Sequence, residues 1–314
     1  MAKRVWASVA AFVVMALGLT LGATAVAAAP KTAASTRAVV HTGSGPVTGG
    51  VRRLGRVHSS TAPPLRSGGS DTKKSPPPTP PSPKTASPNA AYRIYDGSYG
   101  PITIPAGYWS EAWANCPSGM LATGGGESNS SNAGVTLHST FGEGSDWKVQ
   151  VTNDAASAAT FTVYVICMSG ITYYEASSTG PGGARTTCPA GMQLLGGGGW
   201  STNPDAILTM LIGDTWWSAA GDASGTVTAQ AICGEGIGSY SRQEVNVSLA
   251  SGTYQSATVT CPAGTFILGG GGYQYGVRPT DSYPTYPTQG WKIWAKNEYT
   301  DWTWNMSAIA FCGT

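Results

Sequence analysis

Histidine is nearly missing from this sequence: His41, His58 and His138 are the whole supply among 314 residues. A nucleophile–base pair needs a histidine or a substitute at each site. No repeated hydrolytic triad is therefore expected, and His138 reads as a surface loop residue. Six cysteines are present without a CxxC pair, so neither a zinc centre nor any other metal or cofactor is expected. Charge is thin, at 11% of residues, and no window carries an apolar stripe of helical period. One long apolar run exists, residues 5–21 behind Lys3 and Arg4, with the small-residue stretch Ala25-Val26-Ala27 after it. That is the pattern of an export signal over residues 1–29 rather than of a transmembrane anchor. The expected product is secreted and extracellular, off the membrane after cleavage, with its cysteines where disulfides are permitted.

The few charges are divided along the chain. Residues 30–90 hold nine Lys or Arg against the lone acid Asp71, whereas residues 91–314 hold seven basic and fifteen acidic residues. A cationic arm thus precedes an anionic body. The tract KKSPPPTPPSPKTASP, residues 73–88, reads as an extended, semi-stiff spacer in a disordered arm. Upstream, RAVVHTGSGPVTGGVRRLGRVHSS, residues 37–60, sets Val and Leu beside arginine between glycines. Alone it cannot offset its ordering entropy. Against a partner's groove or sheet edge it can order as a short strand. The alternative, a solvated tether without specific contacts, has equal weight. Nucleic acid is not an expected partner, because the acidic body repels phosphates.

From about Tyr92 the texture changes to a Trp- and Tyr-rich body with an internal repeat. CPSGMLATGGGE, CPAGMQLLGGGGW and CPAGTFILGGGGY begin at Cys116, Cys188 and Cys261, which are 72 and 73 residues apart. Each unit continues through a Trp-led segment at Trp147, Trp216 or Trp291 and closes on Cys167, Cys233 or Cys312. Three units follow, over residues 92–170, 171–236 and 237–314. Runs such as ATVTC, WKVQV and FTVYVIC favour β-branched and aromatic residues in alternation. The expected fold is all-β: three four-stranded units in a pseudo-threefold β-prism over residues 91–314, with a β-trefoil as the competitor.

The three glycine runs need a reason. Glycine in a strand costs about 0.5–1 kcal/mol relative to alanine, and these runs hold eleven of them. Each run is expected to pass where no side chain fits, either beneath another backbone or beneath an aromatic ring. A phosphate cradle is excluded, since no GK[ST] and no helix follow. Among the fifteen ways to pair six cysteines, the repeat selects Cys116–Cys167, Cys188–Cys233 and Cys261–Cys312.

Catalysis finds no support in the repeats. The acids do not recur at equivalent positions; Glu127 ends the first glycine run where the others have Gly199 and Gly272. Glu127 and Glu143 are the one carboxylate pair worth weighing against the reading of solvated loop acids. The body reads as a binder. Tyr275, Tyr283 and Tyr286 share the loop 273–290 with Asp281, while Trp302 and Trp304 share one strand face. Sugar rings stack on such aromatics, and protein interfaces use the same residues. In the arm, Val51, Arg52, Arg53, Leu54, Arg56 and Val57, with Val39 and Val40, are the candidate docking residues.

The three CPxG…GG units, each ending in an aliphatic strand and cysteine, resemble the three-repeat β-prism of the vitelline membrane outer layer protein I family. They are also similar to the CPAG…GGG…GW…N…C repeats of secreted actinobacterial proteins. The resemblance covers residues 92–314 and implies the fold and a binding role. The layout of export signal, flexible arm and β body resembles the adaptor subunits of streptomycete umbrella toxin particles. That second resemblance implies a non-catalytic adaptor whose arm docks on a protein partner. The alternative is a lectin-like module for cell-wall or extracellular polysaccharide.

Overall fold

The computed structural model describes residues 39–40, 48–56, 93–130, 134–203, 206–221, 225–274 and 276–314. Among them are twenty strands and no helix. Two strands belong to the arm, β1 (Val39–Val40) and β2 (Gly49–Arg56). The first unit supplies β3 (Arg93–Ile104), β4 (Tyr108–Asn115), β5 (Leu121–Asn129), β6 (Val135–Glu143), β7 (Asp146–Asn153) and β8 (Ala159–Ser169). The second supplies β9 (Thr172–Pro181), β10 (Gly183–Thr187), β11 (Gln193–Ser201), β12 (Leu208–Ile212), β13 (Trp216–Gly221) and β14 (Thr226–Glu235). The third supplies β15 (Ser241–Leu249), β16 (Tyr254–Thr260), β17 (Phe266–Gln274), β18 (Arg278–Thr285), β19 (Gly290–Lys296) and β20 (Trp304–Gly313).

The strand order repeats. In every unit the first, sixth and third strands pair as one antiparallel set, β3-β8-β5, β9-β14-β11 and β15-β20-β17. The second, fifth and fourth pair as another, β4-β7-β6, β10-β13-β12 and β16-β19-β18. Single ladder pairs, Glu127↔Ser282 and Thr140↔Gly199, join sets of neighbouring units into two seven-stranded sheets. Each unit thus has six strands, not the four expected. The unexpected ones are β3, β9 and β15, and β6, β12 and β18. Polar residues disguise β15, and Pro279 and Pro284 disguise β18. Those prolines are tolerated because β18 meets β5 at one position only and is close to an edge strand there. His138 lies in β6 and is buried, its Nδ1 3.0 Å from the Ala206 carbonyl oxygen, rather than in a surface loop.

The expected disulfides are present. Cys116–Cys167, Cys188–Cys233 and Cys261–Cys312 each close one unit, with Cα–Cα distances of 5.6, 5.7 and 5.7 Å. Between the two sets of each unit lies one buried indole: Trp147, Trp217 or Trp291. Both reasons proposed for the glycines hold, at alternate positions. A Cβ on Gly124 would stand 2.6 Å from Gly269 Cα, on Gly196 2.2 Å from Thr123 O, and on Gly269 2.2 Å from Leu195 O. These three glycines let three backbones converge. The next glycine of each run faces the opposite way and lies under the indole: a Cβ would be 2.3 Å from Trp147 at Gly125, 2.6 Å from Trp217 at Gly197 and 2.7 Å from Trp291 at Gly270. The cavity left where the runs meet is about 20 Å³, room for about one water molecule.

Candidate functional site

An open groove of about 420 Å³ lies between the second and third units. Its floor is one face of β12, carrying Thr209 and Leu211 at alternate positions, with Ile207 just before the strand. Its wall comes from the third unit: the β17–β18 turn, the loop after β19, and Trp304 at the start of β20. Gly276 has a positive φ of 71°, and a Cβ there would stand 2.6 Å from the Trp304 ring, so the turn can press flat on the indole. Tyr299 packs at 5.7 Å and 53° to Trp304, and is 52% exposed. The polar rim is an ion-pair chain: Arg278 Nη1 to Asp154 Oδ2 and Nη2 to Glu298 Oε1, both 3.4 Å.

The loop bearing Tyr299 is held by the asparagine of the WK…N pattern. Asn297 Nδ2 donates to Leu249 O at 3.1 Å and to Trp302 O at 2.8 Å, while Tyr299 N donates to Asn297 Oδ1 at 3.1 Å. Ser251 Oγ donates to Tyr299 O at 2.8 Å. The first unit builds the same loop on Asn153, whose Nδ2 donates to Ile104 O and Ser157 O, and whose Oδ1 accepts from Ala155 N. Tyr299 therefore stands where the first unit has Ala155. The motif could have flagged that difference, because aligning WKVQVTN with WKIWAKN on their Trp, Lys and Asn sets Ala155 against Tyr299.

A second cluster sits where the first unit meets the third. Glu127 is fully buried beside Asp281. Burial holds its carboxyl well above the usual range, and the nearby Asp281 charge pushes it further; the Asn129 side chain offsets this only in part. Asp281 is buried too, and burial raises it to about 6. Its Oδ1 accepts from Asn129 N at 2.7 Å, and its Oδ2 accepts from Thr280 Oγ1 at 3.0 Å and Tyr254 OH at 3.4 Å. Around it, Tyr254 stacks on Trp294 at 4.7 Å, Tyr164 on Tyr283 at 5.5 Å, and Lys292 Nζ lies 4.7 Å from the Trp294 ring centroid. These rings spend their faces on one another.

The arm segment docks on its own chain. β2 pairs antiparallel with β4 from Gly49↔Ala114 to Arg56↔Tyr108, and β1 pairs parallel with β3. A Cβ on Gly49 would stand 2.4 Å from the Tyr99 ring, and one on Gly50 2.2 Å from the Trp113 ring. The two glycines are the notch through which the strand reaches the edge.

The structure therefore separates the expected site residues. Val51, Arg52, Arg53, Leu54 and Arg56 lie in β2 with their backbone against β4, and Val39 and Val40 form β1. Val57 and Tyr275 lie outside the described residues. The expected loop 273–290 is largely strand: Tyr283 lies in β18 beside Asp281, and Tyr286 lies in the turn beyond it, 43% exposed. Trp302 does not share a strand with Trp304. It lies before β20 and is 67% exposed, while Trp304 lines the groove. Glu143 is exposed and ion-paired with Lys148, whereas Glu127 neighbours Asp281 instead. Among the described residues no group of three His, Cys, Asp or Glu side chains is placed to hold a metal ion. No family model matches this chain, and no curated protein matches it.

Proposed function

We propose that this chain is a secreted, non-catalytic adaptor: the basic arm docks on one protein partner, the β body on another, within a larger secreted assembly. The observation that carries the reading is the β2–β4 pairing. A segment too polar to fold alone becomes a regular strand once it meets a sheet edge, which is the behaviour of a strand donor. In the free chain the donor caps its own edge. A partner edge of better fit, with an acidic surface for the arginines, takes it by exchange. The three disulfides are compatible with an extracellular location. The repeated strand order, with the convergence of Gly124, Gly196 and Gly269, supports three units around a common axis as a β-prism. It is preferred to a β-trefoil because each unit builds two three-stranded antiparallel sets of its own.

The test compares the full chain with one lacking residues 30–90 in pull-downs from culture supernatant. Folding of the shorter chain is checked by its thermal midpoint and its disulfide map. The adaptor reading expects one protein to be lost and another retained. If the shortened chain retains every partner, the arm is only a tether and the reading fails.

A further inference from the structure

We infer that the groove between β12 and the Asn297-held loop is a binding site for a neutral saccharide, a sugar ring of an extracellular polysaccharide. Its volume of about 420 Å³ falls in the range of small-ligand sites, about 300–1,000 Å³. The lining has the two chemistries that a sugar ring presents. Tyr299 and Trp304, tilted at 53°, form an aromatic corner for the C–H face of a pyranose. Thr209 and the Arg278–Glu298 pair supply hydroxyl and fixed donor and acceptor groups to its rim.

Charge selects against other ligands. Arg278 bridges Asp154 and Glu298, and Lys296 Nζ lies 3.4 Å from Glu298 Oε1. Two cations and two anions balance at the rim, so neither a phosphate nor an ammonium group finds a net opposite charge there. An extended peptide is poorly served as well. The lining includes the cross-strand pair Thr209 and Ala220, so a peptide laid there meets a side-chain face rather than a ladder partner. The loop that carries Tyr299 is fixed by four hydrogen bonds involving Asn297 and Ser251. Little ordering cost therefore falls on binding.

The groove also lies where the repetition breaks. At the other two junctions a backbone carbonyl crosses the third glycine of a run: a Cβ on Gly126 would stand 1.7 Å from Ser282 O, and one on Gly198 1.8 Å from Thr140 O. At the third junction the neighbours of Gly271 are the Trp217 ring and Ile212, and β12 and β17 share no ladder pair among the described residues. The two strands approach without pairing, and the groove lies beside them. Tyr299 in place of Ala155 then furnishes it.

The full-length protein is titrated with neutral cello-, chito-, malto-, laminari- and xylo-oligosaccharides of two to six units, following tryptophan fluorescence and the indole N–H resonance of Trp304. At least one series is expected to bind and to move that resonance. Tyr299→Ala should weaken binding at least tenfold, and Thr209→Trp, which fills the groove, should abolish it. Tyr286→Ala and deletion of residues 30–90 should leave it unchanged, which separates this site from the arm's adaptor role. Thermal midpoints confirm that each variant is folded. Binding by none of the five series up to millimolar concentration overturns the inference. So does binding that survives both groove variants.

Discussion

The Asp281–Glu127 pair makes the stability of this protein fall with rising pH, and the size of the effect follows from its burial. Asp281 titrates near 6 when folded and near 3.9 when unfolded. Between those values the folded state binds more protons, so its contribution is full below about pH 4 and is lost as pH rises through 6. Two units of separation correspond to ~3 kcal/mol. Asp281→Asn removes the titration while keeping an oxygen to accept from Asn129 N. The variant should therefore gain about 3 kcal/mol on the parent between pH 4 and pH 7. Guanidinium unfolding at fixed temperature, with disulfides intact and circular dichroism as the probe, measures it at four pH values. Glu127 is shifted in the same direction by its own burial, so Glu127→Gln should extend the gain above pH 7. Parent and Asp281→Asn curves that stay parallel from pH 4 to pH 7 would refute the reasoning.

Gly269→Ala forces a methyl group to within 2.2 Å of Leu195 O at the convergence of the three runs. The expected loss is about 1–3 kcal/mol or more, read from the same unfolding curves, whereas Gly264→Ala in an open turn should fold with the same three disulfides. Trp147 Nε1 donates to Thr140 Oγ1 at 2.8 Å and Trp291 Nε1 to Ser282 Oγ at 3.0 Å, while Trp217 Nε1 has no acceptor. Trp147→Phe and Trp291→Phe should each cost about 1–3 kcal/mol more than Trp217→Phe, because only they strand a buried hydroxyl. Gly50→Val places a branched side chain against the Trp113 ring, so amide exchange in β4 should quicken with the body's thermal midpoint unchanged; protection equal to the parent's would contradict the docking of β2.

The repeat made most of the frame readable. Three CPxG turns, three glycine runs and three closing cysteines carry the unit count and the disulfide pairing, because each has one physical role that tolerates few residues. The strands that escaped notice lack such constraints. β15 has one face in solvent, so its Arg, Gln and Asn read as loop chemistry. β6 and β18 lie where neighbouring units abut, and each meets a strand of another unit, at Thr140↔Gly199 and Glu127↔Ser282. The same reason hid the sites. Nothing local relates Glu127 to Asp281, or Thr209 to Tyr299; each pair exists only because the units meet. The aromatic count pointed to the third unit, but it could not distinguish Tyr283, whose face is taken by Tyr164, from Tyr299, whose face is open.

Departures from the repeat concentrate at the junctions, and they support the proposed site more sharply than composition does. Where two copies keep a hydroxyl under the indole, Thr140 and Ser282, the second unit has Met210 opposite Ala219. Trp217 loses its acceptor, and its ring reaches Gly271 of the third unit instead. That substitution removes a hydrogen bond and leaves a buried N–H unsatisfied, a cost of about 1–3 kcal/mol. A purely structural repeat has no use for it. At the same junction β17 lacks the carbonyl crossing seen at the other two, and a groove lies open beside it. Stability given up at one of three equivalent joints, beside the Asn-held loop that bears the exposed Tyr299, supports the proposal of a saccharide site placed on a repeated frame.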